Sequence, residues 1–231
     1  MADQPRPVMT PGRWRKIRPR LARLRAYFRH HPDKAAGELS VRVRSLGGMR
    51  TEVKAGHHRL VLDESPGVGG TGRGMNPMEV LLGALGACQQ VMIVTHAALL
   101  GVELTSVELV VTGQLDKRGY LGIEGALPGF TRMVVSGRVT ARGATPERLA
   151  QLEEVASRPC PVADTLMRGL GEHPQHGAQK IDPSPKHPPT FGLGWSEKES
   201  GGKEERRKGE RRENTLRMEH RVRFVLEGHT G

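Results

Sequence analysis

Aromatic residues are scarce in this chain, 3% of 231 residues, and apolar residues reach only 36%. Globular domains usually hold about 45–50%, a figure that also counts glycine. Such a composition excludes a chain that folds uniformly along its length. Two cysteines exclude a disulfide-rich scaffold. No uninterrupted apolar run reaches the ~18 residues that mark a bilayer-crossing segment, which argues against a transmembrane protein. The N-terminus has no apolar stretch before its first arginines, so a secretory leader is not expected and the cytoplasm is the expected location. The Gly-rich loop GVGGTGRGMNP lacks the Lys-Ser/Thr of a P-loop; an anion docked at Asn76–Glu79 would meet the charge of Glu79. Cys88, Cys160, His57 and His96 have no tight metal-ligand spacing, so no metal is expected. No repeat of fixed period is present.

What is present is charge, unevenly spread. The net charge is +11. Residues 1–34 hold ten Lys/Arg against Asp3 and Asp33, whereas residues 35–170 are nearly balanced and 171–231 only slightly basic. The high isoelectric point therefore belongs mostly to the head. Three regions separate: a basic, flexible arm over 1–35, a globular domain over 36–170, and a polar, mostly disordered tail over 171–231 with a possible strand at 217–227. The tail stretch 171–213 has too little apolar surface to offset chain entropy. In the head, Arg13–Phe28 has the pattern of a basic amphipathic helix, with Leu21, Leu24 and Phe28 on one side. Pro19 should interrupt it.

In the middle region, Ser40–Arg44, Thr51–Lys54 and His58–Leu62 read as short strands of a meander. The Gly-rich loop Asp63–Gly74 follows. A long apolar helix then spans Pro77–Leu100, opened by Asn76 as cap with Pro77 in the first turn and Glu79 three residues on, and ended by Gly101. A helix apolar on nearly all sides needs burial on nearly all sides, which implies a sheet wrapped around it or a second copy. Strands resume at Glu103–Leu115 and Thr131–Ala141, and Thr145-Pro146-Glu147 opens a second helix that Arg158-Pro159-Cys160-Pro161 breaks. Strands, helix, strands, helix is an α+β order.

The cysteines have different local settings. Cys88 lies deep in the long helix among small residues, Ala84-Leu85-Gly86-Ala87, where the helix dipole is too distant to activate it. Cys160 precedes Pro161 and is the expected N-cap of a short helix, a position that favours its thiolate. On local grounds each could equally be structural, Cys88 as a small core residue and Cys160 as a turn filler. They are 72 residues apart, so only the fold can bring them together.

Asp63-Glu64-Ser65-Pro66, Gly69-Gly70, Asn76-Pro77-Met78-Glu79, Leu82-Gly83-Ala84-Leu85-Gly86-Ala87-Cys88 and later Cys160-Pro161-Val162 together resemble the OsmC/Ohr family. The likeness covers about residues 38–168. It implies an intertwined homodimer in which antiparallel sheets wrap two central helices. It also implies a peroxidase that reduces organic or inorganic hydroperoxides, with Cys88 attacking and Cys160 closing a disulfide that an external dithiol reopens. No metal, flavin or haem is implied. A guanidinium from the partner's N-terminal strands should face Cys88; Arg42, Arg44, Arg50 and Arg59 are the candidates, with Arg50 favoured. An acidic residue usually fixes that arginine; in the family's hydroperoxide-specific branch it sits directly after the helix-opening proline, ten before the cysteine. This chain has Met78 there and Glu79 one later, turned by about 100° around the helix.

A rival reading keeps the cysteines but removes sustained turnover, leaving a redox sensor or small-molecule binder. A third, ranked last, has the basic arm contact nucleic acid or a membrane.

Overall fold

The computed structural model describes residues 11–168 and 217–226. The expected disordered tail over 171–213 lies outside them. Helix α1 (Pro11–His30) continues through Pro19 instead of breaking there. Proline's fixed φ suits a helix, and its missing N–H removes one backbone bond among many. Ile17 and Leu21 are half-buried, α1 touches α2 below, and the charged side chains from Lys16 onward stay exposed.

Three strands follow: β1 (Arg42–Ser45), β2 (Thr51–Ala55) and β3 (His58–Leu62). They form an antiparallel sheet in the order β1-β2-β3. All four residues of β1 are exposed. Val43 is 62% and Leu60 38% exposed, so the described residues leave one apolar face of this sheet uncovered.

Helix α2 (Pro77–Leu100) begins and ends where the sequence signals it. Asn76 and Glu79 form a reciprocal capping box, Pro77 occupies the first turn, and Gly101 closes the helix in the left-handed region at φ 71°. Its 24 residues make it long and apolar enough to cross a bilayer by length and composition, which corrects the expectation that no such segment exists. Gln89, Gln90, Thr95 and His96 interrupt the apolar run without making the helix polar. The core helix of a folded domain passes the same test. Among the described residues α2 is buried on one face only, through Leu85, Gln89, Ile93, Ala97 and Ala98. Gly83, Ala84, Ala87 and Val91 are exposed, Val91 at 58%.

The second sheet has the order β4-β5-β6. Strand β4 (Glu103–Leu115) pairs antiparallel with β5 (Phe130–Arg142), and β6 (Arg217–Leu226) lies parallel to β5. This sheet is therefore mixed, not antiparallel throughout. Alternation of side chains marks a strand but is blind to its direction. A short helix α3 (Lys117–Tyr120), capped by Asp116, joins β4 to β5. Helix α4 (Pro146–Ala156) starts on the Thr145 cap, and α5 (Pro161–Arg168) follows. The α+β core gathers Ile93, Ala97, Val102, Leu104, Val139, Ala141, Leu152 and Ala156 between α2, this sheet and α4.

Candidate functional site

A second apolar cluster lies beside that core. Leu85 from α2, Met133 and Val135 from β5, and Cys160 and Ala163 at the start of α5 are buried together, with Cys88, Met92, Met218 and Val222 packed against them. Both cysteines are free thiols. Cys160 is fully buried and Cys88 partly exposed. Cys88 is near enough to Cys160 to influence its thiol. The 72-residue separation is thus closed by α2 packing on α5 and β5.

Cys160 caps α5, accepting a hydrogen bond from the Ala163 N–H at 3.4 Å. That bond favours the thiolate, as expected of an N-cap. Burial is the larger effect, however, and together with the neighbouring Cys88 it pushes the Cys160 thiol above its ordinary value. Cys160 is therefore held as a neutral thiol, contrary to the activation that its cap position suggests. The less buried Cys88 is the one an incoming molecule can reach.

Glu79 accepts the Asn76 N–H at 2.8 Å, while Asn76 Oδ1 accepts the Glu79 N–H at 2.8 Å. Its carboxylate is thereby engaged at the start of α2, nine residues before Cys88. These bonds also occupy the N–H groups at which an anion would have docked. The Gly-rich loop is shaped by another residue, Asp63, which is 1% exposed. Its carboxylate accepts from the backbone N–H groups of Glu64, Thr71 and Arg73 and from the Thr71 hydroxyl. The Thr71 hydroxyl is the main cause that holds Asp63 below the usual carboxylate range. Gly70 is required here because a Cβ would fall on the Glu64 carbonyl. The loop thus folds onto its own carboxylate and offers no phosphate cradle.

The candidate arginines separate. Arg44 donates to Glu52 at 2.9 Å and Arg59 also pairs with it, with Lys54 at 3.4 Å. Glu52 itself is only 3% exposed. The Arg44 hydrogen bond, foremost among these, holds its carboxyl below the usual range. Arg42 lies opposite Lys54 on the same sheet. Arg50, just before β2, has a buried Nε that meets no hydrogen-bond partner among the described residues. A cleft of about 470 Å³ runs between α2 and β4, lined by Glu79, Gly83, Ala87 and Gln90 of the helix and by Val107 and Val111 of the strand, among others.

Sequence reasoning gave no role to Glu52, Asp63, Gln89 or His220. Of these, Asp63 left a signal, standing with Glu64 between a strand and a run of glycines.

Residues 70–170 match the family model described as OsmC-like protein. The chain carries an OsmC-like domain. A solved OsmC-like protein from Mycoplasma pneumoniae has a TM-score of 0.53 at 14% identity, covering 82% of this chain and 98% of that one. This likeness shows a shared fold. An organic hydroperoxide resistance protein OsmC from Legionella pneumophila aligns with a TM-score of 0.43 at 15% identity, over 81% of this chain and 99% of that one. One from Elizabethkingia anophelis aligns with 0.41 at 18% identity, over 59% and 92%. No curated protein matches the chain. Cys88 and Cys160 both fall inside the OsmC-like span, whereas the sheet β1-β2-β3 precedes it.

Proposed function

We propose that this OsmC-like chain reduces hydroperoxides with a cysteine pair. The observation that carries the reading is the meeting of two distant thiols, one buried and one reachable, in a single apolar cluster. The Cys88 thiolate attacks the peroxide O–O bond; the bond breaks, the alcohol leaves with a proton, and Cys88 becomes a sulfenic acid. The Cys160 thiol condenses with it, an S–S bond replaces the S–O bond, and water leaves. An external dithiol then reduces the disulfide. The raised affinity of Cys160 for its proton suits it to closing the disulfide rather than to the first attack.

The active unit is a homodimer working in the cytoplasm without a bound cofactor. The uncovered faces of α2 and of the β1-β2-β3 sheet are where the second copy docks. Arg50 of that copy supplies the guanidinium that stabilises the Cys88 thiolate; its Nε meets no hydrogen-bond partner among the described residues. Glu79 acts by fixing the start of α2, not by touching the peroxide. Purified protein is expected to consume cumene hydroperoxide in the presence of a dithiol, and Cys88→Ser to abolish this. Absence of turnover with several peroxides and dithiols would overturn the reading.

A second reading is favoured by Met78 together with the capping role of Glu79, which leave the expected carboxylate position apolar. In it the same pair oxidises once and signals or binds without sustained turnover. Stoichiometric disulfide formation with no recycling by any dithiol is its signature.

A further inference from the structure

Strand β6 turns one row of side chains inward: Met218, His220, Val222 and Phe224. Met218 and Val222 pack against the cysteine cluster, and Val222 and Phe224 against the main core. His220 stands between them, two residues from each neighbour on the same face. Its Nε2 is buried and meets no hydrogen-bond partner among the described residues. Gln89, the chain neighbour of Cys88, is fully buried. Its amide donates to the Ala156 carbonyl, while its Oε1 is likewise without a partner among the described residues.

His220 faces a cavity. Ile93 of α2, Glu153, Ala156 and Ser157 of α4 and its end, and His220, Val222 and Phe224 of β6 enclose about 90 Å³. That is room for more than one water, and buried polar atoms seldom go without a hydrogen bond. The segments that carry both thiols adjoin this cavity, whose lining contains neither cysteine. Gln89 ties the Cys88 turn of α2 to Ala156, Ser157 precedes Cys160 by three residues, and Val222 touches both cavity and cysteine cluster.

We propose that His220 is the proton acceptor for Cys160 during disulfide closure, acting through water in this cavity. The inference rests on the cysteine-pair reading above. As the Cys160 sulfur bonds to the Cys88 sulfenic sulfur, the Cys160 proton passes through water to His220 Nε2. It then moves to the departing hydroxide, which leaves as water, so no proton is gained or lost. Burial lowers the affinity of His220 for a proton, which keeps the imidazole neutral and able to accept. Glu153 is the charged group on the cavity wall from α4. Ile93 lines the cavity from α2, and Val135 is the register partner on β5. Glu219 and Arg221 point to the opposite face, where they pair with each other, and Glu219 also with Arg132.

The test is a single-turnover measurement on the full chain without reductant, in two arms. One equivalent of cumene hydroperoxide oxidises Cys88, with dimedone trapping the sulfenic acid; diamide drives disulfide closure independently of peroxide chemistry. His220→Gln is expected to form the sulfenic acid at the normal rate and to slow closure in both arms about tenfold or more. In the wild type, closure rises with pH to a plateau whose midpoint lies below the ordinary imidazole value. In the variant it keeps climbing into the alkaline range as Cys160 itself ionises. Normal closure rates in the variant, or a wild-type profile that follows only a thiol ionisation, overturn the proposal without any need for the variant to fold well. A His220-dependent diamide arm with an inert peroxide arm supports His220 and refutes the peroxidase reading instead.

Discussion

The two sheets of this chain are built from similar short alternating strands, yet the described residues complete only one of them. Sheet β4-β5-β6 has α2, α4 and α5 laid over its inward face, and its Val135, Val139 and Ala141 are fully buried. Sheet β1-β2-β3 has no such cover among the described residues: Val43 and Leu60 remain exposed, and its best-buried carboxylate, Glu52, is held by cations of the sheet itself. The difference teaches where the fold is self-sufficient and where it depends on something else. The exposed stripe on α2 belongs to the second class, although the opposite side of the same helix belongs to the first.

The comparison can be broken at its strong end first. Leu85→Ala removes a fully buried side chain from the cysteine cluster and should cost about 2–5 kcal/mol, seen as a lower urea midpoint; Val43→Ala should stay within about 0.5 kcal/mol in dilute protein. Equal costs would erase the contrast. Next, Val91→Asp puts a charge on the uncovered face of α2 and should weaken self-association about tenfold or more without unfolding the chain, measured by sedimentation velocity. Unchanged association would remove that face from the interface. Asn76→Ala opens the capping box and should cost about 1 kcal/mol, again by urea. Glu52→Gln should have the smallest effect. Because the folded carboxyl is held below its ordinary value, its stabilising contribution is present above the unfolded value and fades as pH falls through the folded one. The stability difference between variant and wild type should therefore be constant near neutrality and vanish in strong acid.

Much of the framework was legible because its signals are local. The Asn76–Glu79 cap, Pro77 and Gly101 bound α2, and the strand alternations locate β2 to β5 within a residue or two. What escaped depends on tertiary context. The helix tolerates Pro19 because a single lost bond is outweighed by its other turns. The parallel pairing of β6 has no imprint in alternation. Cys160 reads as an activated cap from its neighbours, but the burial that outweighs the cap comes from Leu85, Met133 and Val135, distant in sequence. Gln89 and His220 are ordinary polar residues until the fold closes around them.

The central claim is that Cys88 and Cys160 react as one pair. Its most direct test is peptide mass mapping under non-reducing conditions after one equivalent of hydroperoxide. The account predicts a single disulfide-linked peptide pair joining Cys88 to Cys160, restored to free thiols by a dithiol. Two cysteines that remain fully alkylatable, or Cys88 driven to higher oxides while Cys160 stays free, would contradict it.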